Sequence, residues 1–305
     1  MTTIRRMDIF ELVEQLETSE LHLRHLATRS ERFYREFVVA KKSGGGRKIV
    51  APSDDLKDMQ KKIAVLLLNK VDLHEACTGY RNGKSIIDNA QPHVGQHFVL
   101  NMDLKDFFPS ISSNRVTGLF YNLGWERPVA MLLARITTYK GSLPQGAPSS
   151  PAIANLLCRR LDTRLSNFSR VRGWQYTRYC DDLTISGQGT PDSDTDTIYS
   201  IIESEGFTVN LDKTRTRFKH QRQVVTGIVV NQEVRIPREQ RRLLRAICHQ
   251  MSMEPESFRG VSNQVLGQLS FAQMVEGQNA PETYRESAQC LLDAKKLARQ
   301  AGATY

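Results

Sequence analysis

The chain has 305 residues, 40% of them hydrophobic and 25% charged, with 42 Lys plus Arg against 33 Asp plus Glu for a formal charge of +9. That length suits two or three domains around a sizeable core, and the composition excludes disorder as the main state. The densest apolar run, Ile63 to Leu68, is far below the roughly 20 residues of a spanning helix, and the basic balance favours a polyanionic partner.

The N-terminal segment reads as helix, with Ile9, Leu12, Val13 and Leu16 on one face. It mixes Arg5 and Arg6 with Asp8, Glu11, Glu14 and Glu17 and has no apolar signal-peptide centre, so a cytoplasmic location is expected. Arg35 to Pro52 carries Phe37, Val38 and Val39 before Gly44-Gly45-Gly46, and Ile49 and Val50 after them. That pattern predicts a hairpin with a flexible tip. Ser53 is placed to cap a helix whose apolar face is Leu56, Met59, Ile63 and Leu66 or Leu67. His97 to Leu104 alternates as a strand, Phe98, Leu100, Met102 and Leu104 opposing Val99, Asn101 and Asp103.

Ser149 or Ser150 before Pro151 predicts a helix start, followed by Ile153, Leu156, Leu157 and Leu161 at helical spacing. Gln175 to Ser186 reads as two short strands around Cys180-Asp181-Asp182. Ile198, Ile201 and Ile202 mark a helix stopped by Gly206, and short strands are expected at Phe207–Asn210, Thr214–Phe218 and Val224–Asn231. From Pro237 onward the pattern is helical, with Leu243, Leu244, Ile247, Leu266, Leu269, Phe271, Leu291 and Leu292 as its expected core. The fold class is α+β: an antiparallel core sheet with helices, then a helical C-terminal domain with a boundary near residue 235. Five scattered cysteines, Cys77, Cys158, Cys180, Cys248 and Cys290, with no C-x-x-C, predict free thiols.

Asp103 ends an apolar strand, and Asp181 and Asp182 sit in a turn between two strands. An Asp-Asp pair alone is ordinary turn chemistry. Two strand ends side by side would instead converge three carboxylates, which repel unless cations neutralise them. Mg²⁺ takes such hard oxygen ligands, and three carboxylates suffice for two ions about 4 Å apart.

These residues resemble the reverse transcriptases. Tyr179-Cys180-Asp181-Asp182 resembles their Y-x-D-D box, with Cys180 where Ala is commoner, and Asp103 through Phe108 resembles the D-x-x-x-F-F block. Leu143-Pro144-Gln145-Gly146 with the following Ser150-Pro151 resembles the L-P-Q-G block, Gly206 through Thr214 the G-x-x-x-N-x-x-K-T block, and Gly44 to Pro52 the fingers hairpin. Asn89-Ala90-Gln91-Pro92-His93 and Val225-Thr226-Gly227 are similar to the N-A-x-x-H and V-T-G motifs of the bacterial retron subfamily.

The resemblance implies a right-hand polymerase: N-terminal helices and fingers over 1–95, palm over 96–235 with part of the fingers between 112 and 150, and a helical thumb over 236–305. It implies two Mg²⁺ ions held by the catalytic Asp103, Asp181 and Asp182 with the Leu104 carbonyl. Arg47, with Lys41 or Lys42, would reach the triphosphate, and Phe108 would exclude a 2′-hydroxyl while Phe107 stays in the core. Gln145 would touch the nucleotide near its sugar, and Lys213 would steady Asp181 or the phosphates. Asn89, His93, Val225, Thr226 and Gly227 would contact the structured RNA or support the loop that does. Arg238, Arg242 and Arg245 share one helical face and would grip duplex phosphates. A retron enzyme would copy a dedicated non-coding RNA with dNTPs into msDNA, a branched RNA–DNA primed from a guanosine 2′-hydroxyl. It would act beside a separate effector protein in antiphage defence. A group II intron-like or diversity-generating reverse transcriptase, or a non-catalytic RNA-binding scaffold, are the alternatives.

Overall fold

The computed structural model describes residues 6–40, 44–254, 258 and 261–300, the last helix ending with side chains at 295 and 297–300 left undescribed. Helices α1 (Ile9–Gln15) and α2 (Glu20–Thr28) open the chain. A capping box closes the start of α1, where the Asp8 carboxylate accepts from the backbone of Phe10 and Glu11 and Glu11 answers to Asp8. Strands β1 (Tyr34–Ala40) and β2 (Gly46–Pro52) form the expected hairpin, paired from Tyr34 with Pro52 to Ala40 with Gly46.

Helix α3 (Asp54–Lys62) runs directly into a widened turn, Ile63–Leu68. The Ser53 side chain makes no cap bond. The wider turn rotates the apolar face, so both Leu67 and Leu68 are buried. Short helix α4 (Ile86–Ala90) precedes β3 (Phe98–Asp103), and α5 (Ser113–Asn122) and α6 (Arg127–Thr137) follow. Then come α7 (Ser150–Leu157), α8 (Arg159–Val171), β4 (Gln175–Tyr179), β5 (Asp182–Gly187) and α9 (Thr195–Ser204). Strand β6 (Arg215–Phe218) completes a sheet of order β4-β5-β3-β6.

The chain divides into two compact units: Met1–Lys84, Leu100–Ile185 and Thr190–Arg215 make the first, and Ser85–Val99, Ser186–Gly189 and Thr216–Tyr305 the second. The second unit therefore takes in sequence on both sides of the proposed domain boundaries at 95 and 235.

Two strand expectations are corrected. Phe207–Asn210 forms no strand beyond a single bridge of Val209 to Leu104, and then turns through Asn210–Thr214. Val224–Asn231 is a tight hairpin, β7 (Val224–Val225) and β8 (Ile228–Val229), closed by Thr226 at φ 47° and Gly227 at φ 83°. Both turn residues are left-handed, as a type I′ turn demands. Gly227→Val forces a branched side chain into that region. It is expected to lower stability by about 1–2 kcal/mol in urea unfolding; no loss would mean the turn rearranges freely.

The second unit's core is built on this hairpin and on α10 (Arg238–Met253), α11 (Ser262–Glu276) and α12 (Glu282–Gln300). Val225, Ile228, Leu244, Leu269, Tyr284 and Leu291 are buried together there, with Ile247, Leu266 and Phe271 packed alongside. Leu243 and Leu292, expected in that core, are about half exposed instead, because the helical stripe passes through Leu244 and Leu291. All five cysteines are free, and only Cys290 is exposed.

Candidate active site

In the first unit, the Leu104 N–H donates to the Asp181 carbonyl at 3.0 Å. This bond sets the end of β3 beside the turn between β4 and β5. Cys180, at φ 59°, makes that turn tight, with Asp181 half-buried just after it and Asp182 exposed at the start of β5. On the other side of β3, the Asn210 N–H donates to the Asp103 carbonyl at 2.8 Å, and the Asn210–Thr214 turn swings Lys213 back. Lys213 Nζ then donates to Asp103 Oδ1 at 2.7 Å and Asn210 Nδ2 to Oδ2 at 3.3 Å. Lys213, expected to steady Asp181 or the phosphates, thus pairs with Asp103. The bond to Asp103 pushes the Lys213 ammonium pKa up, so it stays protonated through the neutral range.

Burial and neighbouring charge raise Asp182 and Asp181. Loss of surrounding water, then the charges of Asp181 and Asp103, push Asp182 up to about 6. Asp181 is raised mainly by burial, with Asp103 adding to it. Among the described residues no acidic, His or Cys side chains are drawn into a closed metal-ligand group, and Asp103 is turned onto Lys213 and Asn210. The donor set still fits a hard divalent cation: carboxylate oxygens on adjoining strand ends whose charges oppose one another.

A cavity of about 750 Å³ opens from this wall, lined by Arg47, Phe108, Gln145, Asp103, Asp181 and Lys213 among others. The β1–β2 hairpin reaches it through β2, whose Val50 N–H donates to the Gln145 carbonyl at 2.8 Å. Gly146, at φ 134°, lies so close that a Cβ would meet the Val50 carbonyl oxygen at 2.8 Å. Only glycine fits there, which ties the Pro144-Gln145-Gly146 loop to the hairpin carrying Arg47. Phe107 is buried against Phe207 with ring centroids 5.6 Å apart, and half-buried Phe108 leans on Phe107 at 5.2 Å. Lys41 and Lys42 lie outside the described residues.

Among the described residues, the cavity wall includes Glu36, Lys140 and Tyr80, which sequence reasoning missed. Glu36, on exposed β1, accepts from Lys48 at 2.8 Å and Lys140 at 3.1 Å, which hold its carboxyl down near 2. Lys140 itself sits at φ 48°. Tyr80 faces Tyr179 with ring centroids 6.3 Å apart. Nothing in the local pattern of these residues marks them; strand pairing and turns place them. Asn210 carried a signal, its position in the block ending at Lys213.

The second unit holds the two remaining motifs. Asn89 Nδ2 donates to Thr226 Oγ1 at 3.5 Å, and the Thr226 hydroxyl donates to the Ile86 carbonyl at 3.4 Å. His93 Nδ1 meets Ser186 Oγ at 2.6 Å, and burial drives its pKa down to about 3. Asn89, His93 and Val225 are fully buried, while Gly227 is exposed at the hairpin tip. Their burial fits support of the hairpin, whose tip at Gly227 is exposed. Arg238, Arg242 and Arg245 are all exposed on α10, whereas Arg241 turns toward Glu276.

Residues 39–240 match the family of reverse transcriptases (RNA-dependent DNA polymerases). The chain is 42% identical over 236 residues to the retron Ec86 reverse transcriptase of Escherichia coli, covering 74% of each. It is 38% identical to the retron Mx65 reverse transcriptase of Myxococcus xanthus, over 83% of this chain and 64% of that one. For the retron Mx162 enzyme of the same organism the figures are 35%, 80% and 58%. Among solved structures, telomerase from Candida albicans with a fragment of telomeric RNA superposes with a TM-score of 0.55 at 13% identity, over 88% of this chain and 56% of that one. The foamy viral protease-reverse transcriptase with double-stranded DNA gives 0.51 at 16% identity, over 87% and 39%. These two likenesses concern the fold.

Proposed function

Because the chain belongs to the bacterial retron reverse transcriptases, RNA-directed DNA polymerases, we propose that it copies a dedicated structured non-coding RNA into msDNA. Synthesis would start at a guanosine 2′-hydroxyl, use dNTPs, and serve antiphage defence beside a separate effector protein. The observation that carries the catalytic part is the convergence of Asp103, Asp181 and Lys213 on one cavity with Arg47, Phe108 and Gln145. The retron part rests on the sequence relatives and on the junction of Asn89 with Thr226.

In the transfer, a hydroxyl attacks the α-phosphate of the nucleotide and pyrophosphate leaves from the opposite side. Asp103, Asp181, Asp182 and the Leu104 carbonyl would hold two Mg²⁺. Bound there, the ions favour the ionised hydroxyl and neutralise charge on the leaving group. Arg47 approaches from the hairpin, where its planar fork suits phosphate oxygens. Gln145, on a loop fixed to β2, positions the sugar side. The Lys213 Nζ, protonated and 2.7 Å from Asp103, is placed to give charge or a proton to the departing pyrophosphate. On Arg238, Arg242 and Arg245 the duplex backbone would rest, at an affinity that falls with salt.

Lys213→Met removes that charge and its proton. Incorporation at neutral pH is expected to fall roughly a hundredfold, with RNA affinity unchanged. An unaltered single-turnover rate would reduce Lys213 to a counter-charge for Asp103.

The function is tested by expressing the protein with its adjacent non-coding DNA and analysing the co-purified nucleic acid after RNase and DNase digestion. A short, discrete DNA joined to RNA by an RNase-resistant branch is expected. RNA alone would refute msDNA synthesis and favour a scaffold or a different template.

A further inference from the structure

Behind the Tyr179-Cys180-Asp181-Asp182 turn lies a fully buried ion pair that the chemistry above does not use. Arg178 points inward from β4 and is 0% exposed, as is Asp162 on α8. Arg178 Nε donates to Asp162 Oδ1 and Nη2 to Oδ2, both at 2.8 Å. Nη1 donates to Asn155 Oδ1 at 3.0 Å and to the Cys180 carbonyl at 3.1 Å. The Tyr176 hydroxyl completes Asp162 at 2.9 Å. Helix α8, helix α7 and the turn at Cys180 therefore all meet one guanidinium.

Stability alone is a poor reason for this arrangement. Burying both charges costs several kcal/mol per ion before their attraction is counted, and apolar replacements of equal volume are often as stable. What apolar side chains cannot do is hold a carbonyl in place. The carbonyl held is that of Cys180, the non-glycine residue in the left-handed region at φ 59°. Such backbone persists only where its surroundings over-determine it. A second brace acts on the same turn. Asn155 Nδ2 donates to the Gly79 carbonyl at 2.9 Å, and a Cβ on Gly79 would lie 2.6 Å from the Cys180 nitrogen. Asn155 sits on α7, directly after the Pro144-Gln145-Gly146 loop and its Ser150-Pro151 helix start. Arg178 and Asn155 thus connect the acidic turn to the helix that follows the nucleotide-side loop.

We propose that Arg178, fixed by Asp162 and Asn155, is a positioning residue for nucleotidyl transfer: it holds the Cys180 carbonyl and so the turn that sets Asp181 and Asp182. The inference rests on the reading of those aspartates as the ion-holding carboxylates, and the test separates the two. A loosened turn misplaces the carboxylates without touching the nucleotide or the RNA. Its mark is a fall in kcat and a higher Mg²⁺ requirement, with the nucleotide KM unchanged.

The variant to make is Arg178→Met/Asp162→Leu, which removes both charges and so leaves no orphan charge. The full chain is assayed for single-nucleotide extension of a primed RNA template across a Mg²⁺ series, with thermal unfolding as the folding control. Misplacement of a reacting group by about 1 Å costs roughly a hundredfold, so kcat is expected to fall tenfold to a hundredfold. The half-saturating Mg²⁺ should rise at least about threefold, with dNTP KM within about twofold. Arg178→Lys, which keeps charge but loses the fork, should fall between. A folded double variant with wild-type kcat and Mg²⁺ dependence overturns the proposal. If the double variant does not fold, Asn155→Ala, which keeps the ion pair, must show the same kcat and Mg²⁺ pattern, and wild-type behaviour there overturns it equally. Asp181→Asn is run alongside. Its retention of activity would fail the underlying reading, whereas its inactivity beside an unaffected double variant would fail this proposal alone.

Discussion

Asp181→Asn/Asp182→Asn is expected to cut DNA synthesis by at least about a thousandfold while leaving the protein as stable as before, or more so. The amide keeps the shape of the carboxylate and removes its charge. In the folded chain that charge is unwelcome, since Asp182 is pushed up to about 6 by lost hydration and by its acidic neighbours. The unfolded chain releases the same proton near the ordinary carboxylate value of about 4. Between those values the folded state holds more protons, so this group's contribution to stability declines as pH rises from about 4 to about 6. In EDTA, the wild-type unfolding midpoint should show that decline and the Asn variant should lack it. Added Mg²⁺ should recover stability in the wild type alone, most strongly above pH 6. A variant that still extends primers would remove Asp181 and Asp182 from the chemistry. A wild-type midpoint blind to Mg²⁺ at pH 7 would deny that these carboxylates hold the ion.

Phe108→Ala is expected to raise the use of ribonucleotides relative to deoxynucleotides by on the order of a hundredfold, the discrimination a close-fitting apolar wall gives against an added hydroxyl. The wall is rigid because it is backed. Phe107 packs on Phe207 in the core, and Phe108 rests on Phe107. Phe108 is half-buried and faces the cavity, so its loss should cost little stability. The paired control separates packing from selection. Phe107→Ala opens a buried hole and should cost about 3–5 kcal/mol in urea unfolding, with a smaller change in sugar preference. The ratio of kcat/KM for a ribonucleotide and its deoxy counterpart decides. If that ratio moves with Phe107 and stays fixed with Phe108, the sugar is read elsewhere.

Several parts of this protein are legible in one dimension, because they depend on neighbours in the chain. The alternation ending at Asp103, the Asp181-Asp182 turn between two strands, the glycine-tipped hairpin bearing Arg47 and the helical tract from Pro237 all follow from local periodicity and turn chemistry. Their order also carries the resemblance that the family match upholds. The tight hairpin at Thr226-Gly227 reads as strand in the sequence because apolar β-branched residues flank it on both sides; backbone sign at those two residues reverses the chain, and one glycine beside a threonine is a weak signal of that.

The rest was decided in three dimensions. Lys213 meets Asp103, 110 residues away in sequence, because the turn from Asn210 folds back along β3. Asn89 meets Thr226 across 137 residues. Arg178 looks like any strand arginine until α8 brings Asp162 and α7 brings Asn155 to it. A polar side chain is exposed by default, and only a partner delivered by another element makes burial affordable. That partner lies far off in sequence, and its hydrogen-bond geometry has no periodic trace. The sequence by itself therefore determined that Asp103 ends a strand and that Asp181 and Asp182 lie at a turn between two others. The tertiary structure alone decided what holds them still.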